Sequence, residues 1–325
     1  MQVDFWLLKY FIEMKKILIT DGVHPLLQEG LEAIGFICDY HPKISLDEVR
    51  KRIAPYSGII INSKILMDRE MFDSAPLLEF VARLGSGMEI VDQIYANEKG
   101  VAVHSAPEGN CNAVGEHALG MLLAHANNLV RSDHEVKKKI WRREANRGFE
   151  IIHKTVGIIG FGHTGRSFAT KLSGMGVKVL AYDKYKNNYA ADLTYVNETS
   201  LENIIQNADI ISIHLPLTQE TKHYVDNKFI NQVAKPFVLI NTSRGTCVNT
   251  EALLSGLERG KITGACLDVF ENEKPKTFTD REENLFKTLY EFPQVILSPH
   301  IAGWTTESKE KLASVLLSKI KAALK

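Results

Sequence analysis

Apolar and polar positions along the chain repeat with two alternating periods. From Lys15, KILIT reads as a β-strand, PLLQEGLEAIG as a helix, FICDYH as a strand, SLDEVRKRI as a helix and GIIIN as a strand. EFVARLG and VAVHSA follow as two more short strands. A second series starts at TVGIIG, whose unbroken apolar character suits a strand buried on both faces. It runs through a helix over 163–175, then VKVLAYD, SLENIIQNA, DIISIHLPL, FVLINTS, TEALLSGLERG, ITGACLDVF and QVILSPH. TTESKEKLASVLLSKIKAALK closes the chain as an amphipathic helix. This alternation predicts an α/β protein built on doubly wound parallel sheets. AVGEHALGMLLAHANNLVR, 113–131, is the longest helical pattern, and the stretch APEGNCN before it predicts a domain hinge near residue 106.

A length of 325 residues exceeds one ordinary domain, so two are expected. Lys plus Arg and Asp plus Glu balance at 39 each, which gives no basic excess for nucleic acid. The run Lys137, Lys138, Lys139, Arg142 and Arg143 reads as a solvated helix face. No apolar run reaches the roughly 18 residues of a membrane helix. Cys38, Cys111, Cys247 and Cys266 are widely spaced and form no CxxC, so neither a metal site nor a disulfide framework is expected. Reduced thiols fit a cytoplasmic enzyme. Residues 1–13 lack a positive n-region and a cleavage site and carry Asp4 and Glu13, so they read as an extra tail rather than a targeting signal.

The chemistry enters at VGIIGFGHTGR, which contains Gly160-x-Gly162-x-x-Gly165. A lone GxGxxG is weak evidence, but here an apolar strand precedes it, a helix follows, and Asp183 closes the next strand eighteen residues after Gly165. Gly160 permits the tight turn, Gly162 lets backbone approach a pyrophosphate, and Gly165 lets helix and strand pack closely. The pyrophosphate would sit on free N–H groups at the helix start, including those of His163 and Thr164. An acid at Asp183 accepts hydrogen bonds from an adenosine ribose and repels a 2′-phosphate, which favours NAD over NADP.

With these motifs in place, the sequence resembles the D-isomer-specific 2-hydroxyacid dehydrogenase family from about Lys15 to its end. VARLGSGMEIVD, NAVGEHALGMLLA, VGIIGFGHTG, HLPLTQETK, LINTSRGTCVNTEALLSGLERGKITGACLDVFENEKP and SPHIAG carry the resemblance. Within the family it is similar to the branch holding D-3-phosphoglycerate dehydrogenase, hydroxypyruvate reductase and glycerate dehydrogenase, without their regulatory domain. The resemblance implies two Rossmann-like domains: an NAD-binding domain over 107–298, inserted into a flavodoxin-like substrate domain made of 1–106 plus 299–325. It implies hydride transfer between NAD(H) and a small 2-keto or D-2-hydroxy acid in an interdomain cleft, and a homodimer.

Carried over by motif, Arg244 of NTSRG binds the substrate carboxylate, His300 of SPHIAG is the catalytic acid and base, and Glu273 of DVFENEKP pairs with that histidine. The chemistry independently wants these types. Guanidinium grips a carboxylate with two parallel hydrogen bonds. The alkoxide left by hydride transfer needs a proton donor with a pKa near neutrality, and a carboxylate stabilises charged histidine. Singly, Arg244 could be a strand-end cation, His300 a capped loop histidine and Glu273 a solvated acid beside Glu271. In order and on strand ends, they read as a site. Leu215, Pro216, Thr242, Ser243, Asp268 and Gly303 are further cofactor contacts implied by the resemblance, with Asp268 holding the carboxamide. Gly85, Ser86 and Gly87 would offer backbone N–H groups to the substrate carboxylate, with Ser86 near the cofactor. His214 would shape the nicotinamide loop, and His117 reads as a structural histidine.

The sequence also departs from the pattern. The substrate-facing loop reads Gly87-Met88-Glu89-Ile90-Val91-Asp92, and Asn62 stands where a phosphate-binding Arg is common, although Arg83 and Lys64 could supply charge. PKTFTDREENLFKTLYEFPQ is longer than in the shorter relatives and reads as a surface excursion over the active-site rim. The rival from another class is an NAD-sensing corepressor-like protein, which would bind NADH and turn over negligibly. A formate or phosphite dehydrogenase fits poorly, because the formate enzymes carry Gln where this chain has Glu273.

Overall fold

The structure, a computed structural model, describes residues 15–324. The tail read at 1–13 lies outside the described residues. The rest divides into two compact units, one of residues up to 110 and from 304, the other of residues 111–303. The sequence reading set the edges at 106/107 and 298/299.

The first unit holds strands β1 (Lys16–Ile19), β2 (Ile37–Tyr40), β3 (Gly58–Ile61), β4 (Phe80–Arg83) and β5 (Ala102–Ser105). They pair in the order β2-β1-β3-β4-β5, all parallel, the flavodoxin-like winding. The run GIII is buried at every position, as a central parallel strand requires. One face of this sheet is covered by the helix Pro25–Glu32 and by the closing helix Thr306–Ala323, which contributes Ala313, Leu316, Leu317 and Ile320.

The second unit holds β6 (Thr155–Ile159), β7 (Lys178–Tyr182), β8 (Val196–Glu198), β9 (Ile210–Ile213), β10 (Phe237–Asn241), β11 (Ile262–Leu267) and β12 (Val295–Leu297). Their order, β12-β11-β10-β9-β6-β7-β8, is that of a dinucleotide-binding sheet with one extra strand, and every pair is parallel. The order reverses between β6 and β9, so the loops after these two strands flank the crevice where such sheets bind ligands. Apolar layers cover both faces.

Two expectations are corrected. The long helix starts at Pro107 rather than 113 and runs to Ala126. Pro is at home in a first helical turn, where its missing N–H is not needed. Gly109 is there because a Cβ would lie 2.7 Å from the backbone N of Leu312, so the turn-like composition reflects close packing rather than a hinge loop. The excursion over 275–294 is instead mostly a crossover helix, Asp280–Glu291, between β11 and β12. Thr279 and Glu282 form a capping box that starts it. Phe286 and Leu289 then bury against the core, with Phe286 stacked on Phe278 at 4.6 Å. Phe286→Ala should therefore lower the unfolding free energy by about 3 kcal/mol in a denaturant titration. A true surface excursion would show almost no change.

Candidate active site

The glycine motif follows β6 directly. Gly160 has φ of 91°, in the left-handed region, and a Cβ there would come within 2.4 Å of the His214 carbonyl oxygen. At Gly165 a Cβ would meet the Gly160 carbonyl oxygen at 2.1 Å, so this turn of helix packs directly on the loop. Gly162 caps the helix His163–Lys171 and faces open space on the side where its Cβ would be. His163 and Thr164 are the first two helical residues, whose N–H groups lack intrahelical partners. Asp183 ends the β7 segment with its side chain only 11% exposed, accepting N–H bonds from Phe161 at 3.0 Å and Tyr185 at 3.1 Å.

The loop after β9 begins at His214, which is buried and bonded through Nε2 to Ser212 Oγ at 2.8 Å. Burial pushes its pKa down to about 3, so it is neutral and shapes the loop rather than moving protons. Its Nδ1 and the Thr242 Oγ1 are buried without a hydrogen-bond partner among the described residues. Buried polar atoms are seldom left so; His214 stands at the end of β9, beside the crevice, and Thr242 at the end of the neighbouring β10.

Asn241, the last residue of β10, is fully buried and acts as a clasp. Its Oδ1 accepts from the Ser243 N–H and hydroxyl, and its Nδ2 donates to the Arg244 carbonyl. Arg244 also donates to the Ser243 carbonyl at 2.7 Å. After β11, Glu271 pins the next turn. One carboxylate oxygen accepts the Thr250 N–H at a helix start, and the other pairs with His223 Nε2. Two residues on, Glu273 accepts from His300 Nδ1 at 2.7 Å.

His300 has φ of 56°, a conformation that costs a non-glycine residue about 1 kcal/mol or more. Asp268, 1% exposed, holds it there. The Asp268 carbonyl accepts the His300 N–H at 2.8 Å, and its carboxylate accepts from the Ile301 and Ala302 N–H groups and the Ser298 hydroxyl. His117 Nε2 lies 2.9 Å from that hydroxyl and 3.6 Å from the carboxylate. The Glu273 hydrogen bond raises the His300 pKa and outweighs partial burial and the repulsion of Arg244. Burial would raise the Glu273 carboxyl, but the hydrogen bond and charge of His300, the Phe270 N–H and Arg244 together hold it below the usual range. The histidine, its carboxylate and a guanidinium thus act on one another at neighbouring strand ends.

Residues 119–302 match the family model described as D-isomer specific 2-hydroxyacid dehydrogenase, NAD binding domain. The chain is 31% identical over 274 residues to a hydroxypyruvate reductase of Thermotoga maritima, covering 84% of this chain and 87% of that protein. It is 30% identical over 313 residues to a D-3-phosphoglycerate dehydrogenase of Methanocaldococcus jannaschii, covering 96% of this chain but 58% of that protein. Among solved structures, a D-lactate dehydrogenase from Aquifex aeolicus complexed with NAD and lactic acid superposes with a TM-score of 0.83 at 27% identity, covering 95% of each chain. The chain belongs to the D-isomer-specific 2-hydroxyacid dehydrogenase family.

As an NAD-dependent oxidoreductase of this family, the protein offers the dinucleotide a fitting cradle: the open side of Gly162, the free helix start, and the orphaned Thr242 Oγ1 and His214 Nδ1. Leu215 and Pro216 continue the β9 loop, Ser243 is buried beside Thr242, and Gly303 closes the 300–303 turn. A carboxamide at Asp268 would have to share a carboxylate that already accepts three hydrogen bonds. In the first unit, the Gly85 N–H donates to the Arg83 carbonyl at 2.9 Å. Arg83 itself binds the Asn62 and Gly87 carbonyls, so it braces the 85–87 loop, and Ser86 Oγ donates to Asn110. Asn241, Glu271 and Ser298 escaped the sequence reading. Only Asn241, a polar residue ending an apolar strand, carried a signal in the sequence.

Among the described residues no helix is long and apolar enough to cross a membrane, and no cluster of metal-ligating side chains is present.

Proposed function

We propose that this dehydrogenase reduces a small unphosphorylated 2-keto acid, with hydroxypyruvate and glyoxylate as the leading candidates, and oxidises the matching D-2-hydroxy acid. The observation that carries the reading is the His300–Glu273 pair beside Arg244. Arg244 would clamp the substrate carboxylate. Bound NADH supplies the hydride for the keto carbon. Because Nδ1 is held by Glu273, Nε2 is the His300 nitrogen that gives its proton to the carbonyl oxygen. In the oxidative direction neutral Nε2 takes the hydroxyl proton back.

The unphosphorylated class rests on Asn62, whose carbonyl accepts from Arg83, and on Lys64, which is tied to the Pro42 carbonyl. The name of the Thermotoga relative supports it too. The chain spans about half the length of the phosphoglycerate dehydrogenases it matches, such as 51% of one from Mycobacterium tuberculosis. NADH oxidation should be screened with glyoxylate, pyruvate, hydroxypyruvate, 2-ketoisocaproate, 2-ketoglutarate and 3-phosphohydroxypyruvate. Hydroxypyruvate or glyoxylate should give the highest kcat/KM. Preference for the phosphorylated acid would overturn the substrate class, and tight NADH binding with negligible turnover on all six would favour a sensor.

We also propose a cytoplasmic homodimer. Leu129, Val130, Val136 and Trp141 are exposed on and after the helix Leu129–Lys137, a single-chain surface that a second copy would cover. A monomer in sedimentation velocity would refute this.

A further inference from the structure

Asp183 is not the only charge that bears on the choice of NAD over NADP: Lys186 lies 3.8 Å from its carboxylate, Lys184 is next in sequence, and Arg166 stands on the helix that follows the glycine loop. A 2′-phosphate brings between one and two negative charges and needs a cation to meet them. Arg166, Lys184 and Lys186 are the candidates, and each is already engaged. Arg166 pairs with Asp192 and also donates to the Tyr189 carbonyl. Lys186 donates to the Phe161 carbonyl at 3.0 Å and lies 3.8 Å from Asp183 itself. Lys184, next in sequence to Asp183, pairs with Glu220. The second Glu220 oxygen accepts from the Tyr185 hydroxyl, so one carboxylate ties down both residues that follow the ribose-facing acid.

Glu220 stands on the loop that leaves β9, opposite the reversal of strand order from β7. Arg166 and Lys186 have backbone carbonyl partners that would hold them even without a carboxylate. Lys184 is half exposed on a flexible stem and meets no such carbonyl among the described residues. We propose that Glu220 is a second determinant of cofactor choice, excluding a 2′-phosphate by sequestering Lys184. The pair adds little to stability, being exposed and screened. Its effect lies in where it holds a positive charge. The inference rests on the reading that Asp183 meets the adenosine ribose.

The test is calorimetric binding of 5′-AMP and adenosine 2′,5′-bisphosphate to the full chain, with wild type, Glu220→Gln, Lys184→Ala and the double variant. Wild type should favour 5′-AMP. Glu220→Gln should raise the affinity for the bisphosphate relative to 5′-AMP about three- to tenfold, the range of one recovered charge-assisted contact at an exposed site. Adding Lys184→Ala should erase that gain. An unchanged ratio in Glu220→Gln, or a gain that survives loss of Lys184, overturns the proposal. If wild type binds neither 5′-AMP nor NADH, the cofactor site itself has been misplaced. Asp183→Ser separates the two levels: no change in its ratio would remove the ribose reading and leave Glu220 without a role.

Discussion

His300→Asn should abolish turnover in both directions, lowering kcat by roughly 10³-fold, the scale of a general acid–base contribution. Asparagine is the informative replacement because it tolerates the left-handed backbone that His300 occupies at φ 56°. The Asp268 bonds to the 300–302 backbone can then persist, and NADH should still quench protein fluorescence with near-normal affinity. His300→Ala lacks that backbone tolerance, so loss of activity in Ala alone would not separate chemistry from loop collapse. Turnover retained in the Asn variant would mean that another group transfers the proton.

Arg244→Lys keeps the charge yet should cost about a hundredfold in kcat/KM, ~2.7 kcal/mol. An ammonium cannot reproduce the planar two-bond grip on a carboxylate. The backbone around it is fixed by Asn241 whatever the side chain, so the loss should fall on substrate and not on folding or NADH binding. The pH limits of the reaction should stay in place, since the positive charge beside His300 remains. Near-normal kinetics would place the carboxylate elsewhere.

How legible each part was follows from where its constraint lies. The cofactor loop could be read because its constraints are steric and local: Gly160 sits against a carbonyl, Gly165 against another, and only glycine meets both demands at that spacing. Sheet class was legible because strands buried on both faces must be apolar along their length, as GIII is and as FVLI is up to Asn241. The helix start at Pro107 was hidden, because proline and glycine punctuate loops and also suit a helix packed tightly against Leu312. The crossover helix Asp280–Glu291 was readable in principle from the Thr279–Glu282 spacing and the pair Phe286 and Leu289. Its charged first turn masked them. The side chains that aim the site were not legible. Glu271 acts through His223 and Thr250, and Glu220 through Lys184 and Tyr185, partners brought together only by the fold.

We propose that Glu273 poises His300 as the proton donor, and paired pH profiles put this role to the test. The folded His300 pKa is raised, chiefly by the Glu273 hydrogen bond, so the protonated form needed for reduction persists at low and neutral pH and is lost as pH rises through that raised value. Oxidation needs the neutral form and fails as pH falls through it. Glu273→Gln removes the negative charge while keeping an acceptor in place. The measurement is kcat/KM against pH for keto-acid reduction and hydroxy-acid oxidation, wild type beside Glu273→Gln. The alkaline limit of reduction and the acidic limit of oxidation should both move to lower pH; limits that stay where they are in wild type would contradict the pairing of Glu273 with the catalytic histidine.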